Sequence, residues 1–302
     1  MTLLLVCLTI SVLLCGCTGG GQSPAFAEGE IYCCGGPEVF LVNVEQARRD
    51  PQTRIWSWRA EDSPQIAPQH RAWFRAMDEC KPVRGGSAVL VSSSSGGAVA
   101  LIRRADKKCL FYAGGRNAHS AELIGADLVA GAFSFRSDQL RLYRLKGRVL
   151  AARPAWSMKL SGAHGVVWDR QRQVLWALGG SELLKLKVRR GDEPSAEVLK
   201  RWKLPAGGGH DLFPLDEKHL VVTVNTSVYQ FDVESEAFAP MAGLAGKRAV
   251  KSVGRHPTAG QIIYTQGEHI FTNKVRRLGG TALVLPPKDL YKARWNAPNP
   301  FS

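Results

Sequence analysis

Histidines recur in this chain at a period that few folds accommodate. His119, His164, His210 and His256 are separated by 45, 46 and 46 residues. Such self-similarity marks one supersecondary unit used repeatedly, and it restricts the fold more than any local propensity does. The contexts N-A-H-S-A-E-L, G-A-H-G-V-V-W-D and G-G-H-D-L-F-P-L align directly. In the fourth unit the alignment puts Ser252, not His256, at the histidine position. The apolar runs Val174–Trp176, Leu220–Val222 and Ile262–Tyr264 then each end twelve residues after His164, His210 and Ser252. A second marker keeps the same register: Phe111, Trp156 and Trp202 each stand eight residues before His119, His164 and His210.

Between these markers lie short segments of alternating apolar residues broken by turn signals, the pattern of half-buried strands. HGVVWD, QVLWALGG, SELLKLKV and EVLKRWKLP make one unit of four strands. No unit has room for a crossover helix, which excludes parallel βαβ folds. Four antiparallel strands per unit is the blade of a β-propeller. Units begin near Cys80, His119, His164, His210 and Lys251, which makes five. A sixth follows if EIYCCGG, EVFLVNV and RIWSWRA supply three strands and the terminal KDLYKARW supplies the innermost one. That closure leaves no long open sheet edge. The expectation is an all-β, six-bladed propeller over 29–302 in which N- and C-terminal strands share one blade. Residues 61–79, EDSPQIAPQHRAWFRAMDE, interrupt the pattern as an insertion with a helical turn.

A length of 302 residues allows two domains, but the repeat makes one. With 45% hydrophobic and 22% charged residues, disorder is excluded for most of the chain. The net charge of +14 predicts an acidic partner. Its basic pairs, Arg103-Arg104, Lys107-Lys108, Arg189-Arg190 and Arg276-Arg277, are scattered over different turns and form no basic helix. No aromatic-basic RNA motif accompanies them, so nucleic acid is not expected. The apolar run Leu3–Leu14 reads as an export signal. Leu14-Cys15-Gly16-Cys17 resembles a lipoprotein signal, with lipidation at Cys17, a signal segment over 1–17 and a tether over 18–28. No Lys or Arg precedes the run, and cleavage after Ala25-Phe26-Ala27 or an unprocessed tail are the alternatives. The expected location is the bacterial cell envelope, membrane-anchored or secreted. Four cysteines remain, Cys33, Cys34, Cys80 and Cys109, with no metal-ligand spacing. They read as buried thiols, and Cys34 with Cys80 is the first pair to test as a disulfide.

The stretches IWSWRAEDSP, ECKPV, NAHSAEL, GAHGVVWD, LWALGG and GGHDL resemble a family of exported bacterial six-bladed propeller proteins known only as a domain of unknown function. The resemblance covers nearly the whole chain after the leader. It implies the fold and the exported location, and it implies no activity, cofactor or catalytic residue.

First strands of propeller blades line the central channel, so equivalent positions face one another. Around the disc these read Cys80 with Lys81, His119, His164, His210, Lys251 with Ser252, and Lys292 or Arg294; Glu79, Glu122 and Asp211 stand nearby. Three converging imidazoles suit a divalent metal, Zn or Mn, with an open position. His119, His164, His210, Glu122 and Asp211 are equally candidates for acid–base catalysis. Lys81, Lys251 and Arg294 can hold a carboxylate or sulfate, and Trp73, in the insertion, can offer a sugar-stacking face. The partner expected is an acidic glycan or small anionic ligand, bound and either processed or not. The competing reading is a non-catalytic scaffold for protein interaction, with histidines that only brace neighbouring strands, as Gly-His dipeptides do in WD-type propellers. Here the strand-ending Trp-Asp partner is missing. His70, His219, His256 and His269 read as surface residues. Ser92–Ser95 with Gly96-Gly97 lacks the Lys of a phosphate loop and reads as a strand turn.

Overall fold

The period of the sequence is the period of the sheets. A computed structural model describes residues 26–145 and 150–301; Cys17 and its expected lipidation lie outside them. Six four-stranded antiparallel sheets follow one another around an axis. Blade one joins Leu290–Trp295 to Glu30–Gly35, Glu38–Asn43 and Trp56–Trp58, so the C-terminal strand is innermost in the N-terminal blade, as the sequence leads one to expect. The inner strands of blades two to six are Met77–Val83, Ala118–Ile124, Gly165–Asp169, Asp211–Pro214 and Val250–Arg255. Each continues outward through its next three strands in chain order.

Burial falls from the axis to the rim, and the residue types follow it. Leu290–Trp295 is buried at every position, whereas the outermost Ser195–Lys203, rich in Lys, Glu and Arg, has no buried residue. The cores lie between blades. Trp176 and Leu183 of blade four pack with Leu220, Val222 and Phe231 of blade five, and Trp202 closes on Trp176 and Phe231 with ring centroids 5.7 and 5.2 Å apart. Such interdigitated aromatic contacts make each blade depend on its neighbours.

The insertion is shorter than 61–79. It forms two 3-10 turns, Ala60–Asp62 and Pro68–Phe74, and gives way to strand at Met77. Trp58 Nε1 donates to Ser63 Oγ at 2.9 Å, and Phe74 meets Trp58 edge-on, so the segment is pinned to blade one. All four described cysteines are free and buried. The Cys34–Cys80 disulfide is therefore not formed; instead both thiols point at the Lys292 carbonyl, at 3.6 and 4.0 Å. No helix among the described residues is long and apolar enough to cross a membrane.

Candidate functional site

Every inner strand starts with the same irregularity. In blade two, Met77 opposes Ser93 and Glu79 opposes Ser92, which leaves Asp78 as an extra, unpaired residue. In the same way the ladders skip His119, Lys251 and Tyr291. His164 and His210 precede their strands by one residue, yet their N–H groups donate to Leu178 and Thr223, the residues opposite Gly165 and Asp211. That is again two residues against one. A β-bulge bends the strand and re-aims the extra side chain. The result is a ring of six bulge residues, one per blade, at one mouth of the channel: Asp78, His119, His164, His210, Lys251 and Tyr291.

This corrects the expected ring at three blades. Lys251, not Ser252, is equivalent to the histidines; Asp78 takes the place given to Cys80 and Lys81; Tyr291 takes that given to Lys292 or Arg294. The register of blade six slipped because the hairpins joining first and second strands differ in length, so counting from the next apolar run misplaces the bulge. Cys80 packs into the core between blades one and two.

The three imidazoles do come together. His119 and His164 stack with centroids 4.0 Å apart at 22°, and His210 meets His164 edge-on at 5.5 Å. His164 Nδ1 lies 2.8 Å from the Gly162 carbonyl, which fixes that nitrogen as the donor and leaves Nε2 as a lone pair. His210 Nε2 lies 2.7 Å from Asn225 Oδ1 and 3.1 Å from Lys251 Nζ. Nε2 either donates to Asn225 or accepts from the Lys251 ammonium, and in both tautomers the buried Nδ1 of His210 has no protein partner. His119 Nδ1 and Asp78 Oδ2 are likewise buried without a hydrogen bond. Stacked rings do not aim their nitrogens at one point, and among the described residues no three His, Cys, Asp or Glu side chains stand as a ligand set.

Desolvation sets the charge at this mouth. Burial holds His164 down at about 4 and His210 at about 3, and it keeps His119 well below the usual imidazole range. All three are neutral at pH 7. Burial, with the Lys292 charge adding, lowers the Lys251 ammonium to about 8, and burial pushes the Asp78 carboxyl up to about 7. Neutral imidazoles contribute acceptor lone pairs; Lys251 contributes an ammonium donor.

One layer below, the channel is plugged. Glu79, Asp211, Lys292 and Arg294 are all fully buried. Lys292 Nζ lies 3.2 Å from Glu79 and 3.0 Å from Asp211, and Arg294 donates to Glu79 at 3.0 Å and to Asp211 at 2.8 Å. Ser120 Oγ and the Val253 N–H supply further donors to the two carboxylates. Lys81 pairs with Glu122 at 3.1 Å and donates to the Val166 carbonyl at 2.6 Å. Three acids thus meet three bases. Asp211 and Arg294, expected as catalytic and ligand-binding groups, are committed to each other. Lys81 and Glu122 lie beyond the plug, toward the opposite mouth. Of the three cations expected to hold an anion, only Lys251 stands in the ring.

Trp73 is half-buried: its ring stacks on His70 at 3.8 Å and lies against Gly114, so close that a Cβ there would meet it at 2.8 Å. His70 is tied to the Tyr112 hydroxyl at 3.0 Å, so it anchors the insertion. Asp78 and Tyr291 are ring members that the repeat spacing does not point to. Their signal was position alone, one residue before the inward-facing Glu79 and Lys292.

No curated protein matches the chain. It is similar in structure to a protein of unknown function from Bacteroides caccae, with 11% identity, a TM-score of 0.56, and 88% of this chain and 97% of that one covered. It is similar also to the Cps50 (Swd1) β-propeller domain of Myceliophteria thermophila: 15% identity, TM-score 0.53, 90% and 89% covered. Dihydro-heme d1 dehydrogenase NirN, in complex with DHE, matches at 14% identity and a TM-score of 0.51, over 89% of this chain and 55% of that chain. At these identities the likeness concerns the fold. A family model described as a family of unknown function, DUF6528, matches residues 2–302.

Proposed function

The chain belongs to DUF6528, a family of unknown function, so its activity must be read from the site, and we propose that the bulge ring binds an acidic saccharide unit. The observation that carries this reading is the unmet hydrogen-bonding capacity of the mouth: His119 Nδ1, His210 Nδ1 and Asp78 Oδ2 are buried and unpaired. Buried polar atoms without partners cost about 1–3 kcal/mol each, and a ligand that satisfies them recovers that cost. A polyol suits them because each hydroxyl both donates and accepts. One carboxylate on the sugar meets Lys251 through a charge-assisted bond. With the plug closing the channel, the ligand enters and leaves by one mouth.

Export to the cell envelope, with or without a lipid on Cys17, supplies such polymers as partners and belongs to the same proposal. A second reading, the protein-interaction scaffold, is favoured by exposed apolar tips: Phe135 is 64% exposed, and Ile270 and Phe271 are 58% and 40%. These two hairpins belong to blades three and six, on opposite sides of the disc.

Isothermal titration of the full chain in detergent with galacturonate and glucuronate oligomers, and with neutral galactose oligomers, separates the readings. Binding of the uronates that falls at least tenfold in Lys251→Met, with an unchanged melting temperature, supports the ring. Absence of uronate binding, or a Lys251→Met variant that binds as well as wild type, overturns it in favour of the scaffold.

A further inference from the structure

The opposite face of the disc holds a second concavity, separated from the bulge ring by the ion-pair plug. Its volume is about 610 Å³, within the range that encloses a small organic ligand. Its floor is aromatic. Trp168 is nearly buried, and Phe213 beside it is fixed from within by the Arg294 guanidinium, 4.2 Å from its ring centre. The charged pair Lys81–Glu122 at the base is neutral as a unit.

The rim is cationic. Arg190 lies flat over Gly125 and is held by Asp127, so it forms a fixed wall. Arg84 and Arg170 differ from it. Both line the concavity, both are exposed, and among the described residues neither guanidinium has a hydrogen bond, an ion pair or an aromatic partner. Arg84 also adopts φ +53° in the hairpin Arg84-Gly85-Gly86, a conformation that costs a non-glycine residue roughly 1–2 kcal/mol. A cationic side chain is held at a turn position that glycine would fill with less strain. Two unpaired guanidiniums on the hairpins of blades two and four flank an aromatic floor. Guanidinium forks match carboxylate and phosphate groups bidentately, while the floor takes a flat body.

We propose that this concavity is a binding site for an amphipathic organic anion: a planar ring seated on Trp168 and Phe213, with a carboxylate or phosphate between Arg84 and Arg170. Phe26 forms part of its wall, so cleavage after Ala27 widens the site and retention of the tether narrows it. The site shares no ligand-contacting residue with the bulge ring, and it stands or falls independently of the proposed function.

The test is titration of the full chain in detergent with 2-naphthoate, 1-naphthyl phosphate and the uncharged 2-naphthamide. Both anions are expected to bind, their order telling carboxylate from phosphate chemistry, and 2-naphthamide at least tenfold more weakly. Arg84→Gln with Arg170→Gln should weaken both anions at least tenfold and leave 2-naphthamide unchanged, while Lys251→Met changes nothing. Equal affinity for the amide and the anions, no binding up to millimolar concentration, or anion binding indifferent to the double substitution overturns the proposal.

Discussion

Lys251 is the residue on which the chemistry of the mouth turns. Its ammonium titrates near 8 and its neighbour Asp78 near 7, both because burial disfavours the charged form. An anionic ligand therefore meets a net positive mouth below about pH 7. Attraction weakens as Asp78 ionises, and it fails as Lys251 loses its proton. Uronate affinity should be flat from about pH 5 to 6.5 and fall steadily between about pH 7 and 9; in Lys251→Met it should be low and lack the step near 8. A profile that rises with pH would contradict this assignment. The histidines act on stability in the other direction. Their folded pKa values lie below the usual ~6.5, so the unfolded chain binds more protons as pH drops from there toward 4. Folding loses free energy through that window. Asp78, raised in the fold, offsets part of the loss, since its protonated form is the favoured one. Burial raises the Glu122 carboxyl as well, so the net expectation, three histidines against two carboxyls, is a urea midpoint lower at pH 4.5 than at pH 7, with a smaller difference in His164→Gln. Equal midpoints in wild type would refute it.

At the scale of the strand, the bulge and the plug below it decide what each position does. Four-strand units and the terminal strand exchange were legible in the sequence, because hydrophobic alternation and repeat spacing are properties of order along the chain. The three histidines were legible for the same reason. Asp78 and Tyr291 were not: a bulge adds one residue to one strand, and alternation cannot tell an extra residue from a paired one. Arg294 and Asp211 were legible as channel residues but not as partners, since pairing across blades depends on which inward positions share a level. Their energetics follow from burial. Removing one member of a buried network strands its counter-charges, at about 3–5 kcal/mol. Arg294→Met, which leaves Glu79 and Asp211 with Lys292 alone, should lower stability by about that amount in chemical denaturation. The exposed Arg84→Gln should change it by less than about 0.5 kcal/mol. An Arg294→Met variant as stable as wild type would show that the plug is not a coupled unit.

Seen as a whole, the molecule is a disc with two unlike faces joined through a buried, charge-balanced axis. Ion pairs at the rim of the blades, such as Arg103 with Asp106 and Lys218 with Glu234, contribute about 0–1 kcal/mol each when exposed and, being neutral as pairs, leave the +14 excess that suggested an acidic partner spread over the other Lys and Arg. Recognition at the two concavities draws on little of that excess: one lysine in a ring of neutral imidazoles on one face, two unpaired arginines over aromatic rings on the other. Blade closure by Leu290–Trp295 matters here as well, because that strand supplies Tyr291 to the ring and Lys292 and Arg294 to the plug. The fold and the site are therefore completed by the same segment. Whether the bulge ring holds an acidic sugar is decided most directly by a crystal structure of the protein soaked with a uronate disaccharide. Density is expected at the mouth, with the carboxylate on Lys251 Nζ and hydroxyls on His119 and His210. An empty mouth at saturating ligand, or the sugar bound elsewhere on the disc, would contradict it.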